Sequence, residues 1–179
     1  NAFTSQEYTG YYIKCSAEKI DTALDIISDI FLNSKFDEKQ IEVERGAVKE
    51  EINMHLDNPG RHIWDVLNEL MYGDQPLGWD VAGTKETVDG LRRSDFVKYF
   101  NTHYFDKNTV IAVAGKIDPA EIKDKIDYHF KKIRDHEKIE ALAVIEKQKE
   151  PALKIESRKT DQTHLTVGFR GYSRFHPKF

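Results

Sequence analysis

Glu44–Ile52, ERGAVKEEI, sets three acids among the apolar residues of one short segment. It is built from good helix formers, and the surrounding residues extend the pattern in both directions. Glu44, Val48, Glu51 and His55 are spaced four, three and four apart, so they share one side of a helix. Val43, Ala47 and Met54 form an apolar stripe beside them, which predicts that both acids lie on or next to a partly buried face. Residue chemistry leaves two explanations open. The acids are solvated, with Arg45 and Lys49 pairing nearby carboxylates, or Glu51 binds a metal with Glu44 supporting it. A single carboxylate is not a metal centre, because catalytic zinc takes three protein ligands. His55 is four residues from Glu51, but His62, His103, His129, His136, His164 and His176 are scattered. No HExxH, HxxEH or CxxC motif occurs.

Upstream, Ser16–Ser34 carries Ile20, Leu24, Ile27 and Phe31 at helical spacing behind Ser16 as cap, and Asp37 starts the helix that contains ERGAVKEEI. Residues 1–16 alternate in part, as a hairpin around SQEYTG or as one irregular strand. Downstream, Asn58-Pro59-Gly60 breaks the pattern before a helix bearing Ile63, Val66, Leu67 and Leu70. A loop with a short helix after Thr84 follows, then a helix capped by Ser94 that runs to about Tyr104. Thr109–Ala114 reads as a strand, and Asp118 with Pro119 opens a helix whose face is Ile122, Ile126 and Phe130. After a charged stretch over 134–150, Leu153–Ser157 and Thr163–Phe169 read as strands. The fold class is α+β, with helices packed on a largely antiparallel sheet. The long helical block contains no strand and no Gly-rich phosphate loop, which disfavours a doubly wound sheet.

The chain has 179 residues, 39% apolar and 32% charged, with net charge -4, enough apolar residues for one sizeable core. That balance argues against a nucleic-acid surface. No run approaches the ~20 apolar residues of a membrane helix. The single cysteine, Cys15, cannot form an internal disulfide and reads as a core thiol, which fits a cytoplasmic location. Lys131, Lys132 and Arg134 read as a solvated helix surface.

Five ordered landmarks then resemble the M16 family of zinc metallopeptidases, the pitrilysin-like or inverzincin group. NAFTSQEYTGYY (1–12) resembles the family's "NA-aromatic-T" strand. ERGAVKEEI followed by DNP resembles its "ER..V..EI" helix. PLGWDVAGTKETV (76–88), YFDKNTVIAVAGKID (104–118) and THLTVGFRG (163–171) resemble its later passages in the right order. The resemblance covers essentially the whole chain and identifies residues 1–179 as a partial N-terminal M16-type peptidase domain, truncated at both ends.

That resemblance implies a zinc-dependent endopeptidase acting on peptides or unfolded polypeptides. Glu51 corresponds to the zinc ligand and Glu44 to the acid that supports a site histidine. The HxxEH helix, which in the family supplies two histidine ligands and the general-base glutamate, is absent from this sequence. Zn2+ is therefore expected in the complete parent and not in this chain alone, which is expected to be inactive. Asn1, Ala2 and Phe3 would meet substrate by strand addition. The implied partners are peptide substrate, a homologous second M16 half or partner subunit, and a second copy through an open sheet edge. The alternative is a non-catalytic M16-like partner or structural subunit that binds peptides or another subunit.

Overall fold

Capping chemistry sets most of the helix starts in the computed structural model, which describes every residue except Thr160, Arg174 and Phe179. The elements are β1 (Ala2–Thr4), β2 (Thr9–Tyr11), α1 (Ile20–Leu32), α2 (Glu38–Leu56), α3 (Pro59–Tyr72), α4 (Lys85–Gly90), α5 (Arg93–His103) and α6 (Pro119–Phe130). Asp37 Oδ1 accepts from the amides of Lys39 and Gln40 at 3.0 and 3.2 Å, starting α2 where the sequence places it. Asn58 caps α3 and Asp118 caps α6, each with proline in the first turn. Ser94 lies inside α5 rather than capping it. The Asp95 carboxylate reaches back to the Arg92 amide at 2.8 Å, so the helix begins earlier. Ser16 precedes a single 3-10 turn and caps nothing with its side chain.

The chain divides into two compact units. The first comprises Asn1–Arg45 and Asp89–Leu142; the second comprises Gly46–Val88 and Ala143–Phe179. The first is an α+β unit in which β1 and β2 form an antiparallel hairpin and α1 packs on α6. Its core is aromatic. Phe31 lies between Tyr104 (5.2 Å between ring centroids) and Phe130 (6.0 Å), and Phe100 touches both Phe36 (5.2 Å) and Tyr104 (4.9 Å). Phe105 is 1% exposed. Phe36 has a φ of 51°, which costs a bulky L-residue about 1–2 kcal/mol. Its ring contacts with Phe96 and Phe100 offset that cost, and Arg93 Nε fixes its carbonyl at 2.9 Å.

Arg134 departs from the solvated reading. Its guanidinium lies 4.3 Å from the Phe100 ring centre and donates to the carbonyls of Phe100 and Tyr104. A cation there meets the negative end of α5. Cys15 is exposed, because it falls in the irregular link between the hairpin and α1, where there is no core to enter.

The second unit is built on α3. Lys154 pairs with Glu69, and Glu156 and Arg158 meet His62. The expected strands at 109–114, 153–157 and 163–169 form no ladder among the described residues. Side-chain alternation is present at 153–158, but its polar members are taken up by α3, while Leu153 and Ile155 are 80% and 78% exposed. Alternation reports side-chain partners, whereas a strand also needs a backbone neighbour. Truncating Phe105 to Ala should cost about 3–5 kcal/mol through lost burial and the cavity left behind. Urea unfolding followed by circular dichroism measures it.

Candidate functional site

Helix α2 carries both acids singled out in the sequence. It runs unbroken for 19 residues, with no proline to interrupt it. Glu44 and Glu51 lie two turns apart, about 10.5 Å along the axis. At that spacing the two carboxylates are not placed as neighbouring ligands of one ion. The expectation of a partly buried stripe fails. Val43 is 65% exposed and Met54 71%, Glu44, Ala47 and Glu51 are exposed, and the buried residue of the helix is Ile52. The helix turns Ile52 inward, and the stripe beside the acids is left exposed. The side chains of Glu44 and Glu51 make no hydrogen bond or ion pair among the described residues. Arg45 does take an acid, chelating Glu42 at 3.0–3.3 Å, which holds the Glu42 carboxyl below its ordinary value.

No three His, Cys, Asp or Glu side chains converge on a common point among the described residues. Half-buried His55 stands four residues from Glu51 without a third donor. This donor set does not make a zinc centre by itself, because one carboxylate falls short of the three ligands zinc takes.

The hairpin carries the three N-terminal residues expected to meet substrate. Asn1 and Tyr12 exchange both backbone hydrogen bonds (3.1 and 2.9 Å), and Ser5 donates to Tyr8 O at 2.9 Å. The register pairs Ala2 with Tyr11, Phe3 with Gly10 and Thr4 with Thr9. In an antiparallel pair, bonded and non-bonded couples alternate. The backbone groups of Asn1 and Phe3 are therefore turned toward β2, while those of Ala2 and Thr4 point to the free edge. Thr4 was not singled out in the sequence; the period of two that makes Ala2 available makes it available as well. On one face Tyr11 packs toward Tyr104, their hydroxyls 3.1 Å apart. Burial first and this bond second raise the Tyr104 phenol well above its usual range. On the other face Phe3 meets Tyr8 and Tyr12 at 5.9 and 6.1 Å.

In the second unit, a polar cluster joins α3 to the segment after Pro151. His62 Nε2 is 3.0 Å from a Glu156 oxygen and 2.9 Å from Arg158 Nη2. One ring nitrogen cannot donate to Glu156 and accept from Arg158 at once. Arg158 also donates to the Leu56 carbonyl at the end of α2. Sequence reasoning missed this cluster; the charges at every second position, Lys154, Glu156 and Arg158, were its signal.

Residues 1–85 match the sequence model of the insulinase family, peptidase family M16, and residues 90–178 match that of the peptidase M16 inactive domain. The chain belongs to the M16 peptidase family. This M16 chain is 35% identical over 178 residues to the uncharacterized zinc protease YmxG of Bacillus subtilis, covering 99% of itself and 43% of that protein. It is 35% identical over 134 residues to the mitochondrial-processing peptidase subunit beta of Caenorhabditis elegans, covering 75% of itself and 29% of that subunit. In structure it resembles a protease from Helicobacter pylori, with a TM-score of 0.73 and 22% identity over 82% of this chain and 36% of that one, a likeness of fold alone. An M16-like peptidase from Alicyclobacillus acidocaldarius gives a TM-score of 0.63 at 25% identity, over 76% of this chain and 32% of that one. The M16 chain thus spans less than half the length of these relatives. Among its described residues no helix is long and apolar enough to cross a membrane.

The Glu156 carboxyl is held below its ordinary 4.5, first by the His62 contact and then by Arg158. A depressed folded pKa adds stability above the unfolded value and loses it as pH falls through the folded one. Thermal melts of the M16 chain should therefore fall faster below pH 4.5 than those of Glu156→Gln. Parallel curves would remove Glu156 as a source of acid sensitivity.

Proposed function

We propose that this chain is part of a zinc-dependent endopeptidase that hydrolyses peptides or unfolded polypeptides. The observation that carries the reading is Glu51, an exposed carboxylate without a protein partner among the described residues, on the open side of α2 in an M16 chain. The names of its relatives, zinc protease among them, support it. In this reading Glu51 gives one anionic oxygen to zinc and Glu44, two turns away, supports a neighbouring ligand. β1 holds the substrate extended through the free N–H and C=O groups of Ala2 and Thr4, with Phe3 beside it and Asn1 anchoring the strand to β2. The remaining zinc ligands and the general base come from outside these 179 residues. A homologous second M16 half or a partner subunit completes the enzyme. The lone cysteine is in keeping with a cytoplasmic setting.

A second reading has one observation in its favour, the match of residues 90–178 to the M16 inactive domain. It is a non-catalytic M16-like partner or structural subunit that binds peptides or another subunit. An HxxEH motif in the whole protein decides for the peptidase.

The 179-residue chain offers zinc a single donor, so it should retain well below one equivalent after gel filtration, measured by mass spectrometry of the metal, and should cleave no peptide. In the whole metal-loaded protein, Glu51→Gln should abolish stoichiometric zinc, while Glu44→Gln should weaken its binding about 10–100-fold. Full zinc retention in Glu51→Gln would refute the ligand assignment.

A further inference from the structure

Phe3 and Gly10 face each other across the hairpin, and the Phe3 ring does not stand upright on its own strand. It leans over β2, lying on Gly10 between Tyr8 and Tyr12. A Cβ placed on Gly10 would come 2.5 Å from Phe3 Cε1 and closer still to Cζ, well inside van der Waals contact. The ring can occupy this position only because residue 10 has no side chain. All three rings remain open to solvent, with Phe3 48%, Tyr8 64% and Tyr12 50% exposed.

We propose that Gly10 is a positioning residue for substrate selection. By parking the Phe3 ring over β2, it leaves an apolar shelf beside β1 that takes a bulky aromatic or aliphatic side chain of an extended peptide. This rests on the reading of β1 as the peptide edge, and the shelf is continuous with that edge. A peptide strand bonded to Ala2 and Thr4 places its intervening residue opposite Phe3, and directly opposed residues point to the same face. That residue's side chain enters the space the ring has vacated and meets the ring's near side. With a larger residue at position 10, the ring must swing back toward β1 and fill the shelf. The ring is the free end of an exposed side chain, so it moves without dragging backbone.

The test uses fluorescently labelled short peptides, identical except for a central Phe, Leu or Ala, titrated into the 179-residue chain by anisotropy. The native chain should prefer Phe and Leu over Ala by about tenfold. Gly10→Val should bring that ratio to about one. In a Phe3→Ala background, Gly10→Val should change the ratio no further, because glycine acts only through the ring. Thermal melts check that each variant folds, and Gly10→Ala replaces Gly10→Val if the larger residue disturbs the hairpin. A ratio that survives substitution of Gly10 overturns the proposal. Equal binding of all three peptides overturns it too, while leaving the peptide edge standing. Failure of every peptide to bind removes both the edge and the shelf.

Discussion

The contact between Tyr11 and Tyr104 is the constraint on which the hairpin's placement depends. A two-stranded hairpin is marginal on its own in water. Here its inner face is held by one tyrosine whose hydroxyl meets a second, part-buried tyrosine at the end of α5. Tyr104 in turn touches Phe31 of α1 and Phe100 of α5, and Arg134 holds its carbonyl. One ring therefore links the hairpin to two helices. Because Tyr11 is committed inward, the alternation of the strand sends Gly10 and Tyr12 outward, and the register then brings Phe3 onto the same outer face. Both the free edge and the open aromatic face follow from which tyrosine is buried.

The second unit is organised by the opposite logic. Along 153–158 the charged residues turn toward α3 and the aliphatic ones toward solvent. Further on, Gly168 sits against Met71 and Leu67, and Arg170 donates to the Met71 carbonyl with its guanidinium 4.9 Å from the Tyr72 ring centre. Leu165, Val167 and Phe169, the alternate residues, are 68–85% exposed. Attachment to α3 therefore rests largely on ion pairs and on carbonyls at helix ends. Such contacts contribute less each than buried apolar area and are more sensitive to salt and pH.

Local chemistry was legible from sequence, whereas non-local pairing was not. Asp37, Asn58 and Asp118 announce helix starts because an N-cap acts on amides two or three residues away. Ser94 misled because Asp95, one residue later, serves the Arg92 amide instead. The helical identity of ERGAVKEEI could be read directly, and so could the shared side of Glu44 and Glu51. Its exposure could not, since an apolar stripe records a preference for a partner and not the partner's presence. The M16 landmarks were visible because each combines a motif with its place in the order. The His62 cluster spans more than ninety residues of sequence, and the resting place of the Phe3 ring depends on a cross-strand register, so neither could be reached from local patterns.

The alternation along β1 also has a kinetic face. The amides of Phe3 and Ser5 are tied to β2, while those of Ala2 and Thr4 look away from it. In heavy water, neighbouring positions of one strand would exchange their protons at rates set by different events. Ala2 and Thr4 need only solvent to arrive, while Phe3 and Ser5 need the hairpin to open. The strand is thus half closed to solvent by its own fold, and the open half is where a visiting backbone would register as newly slowed exchange.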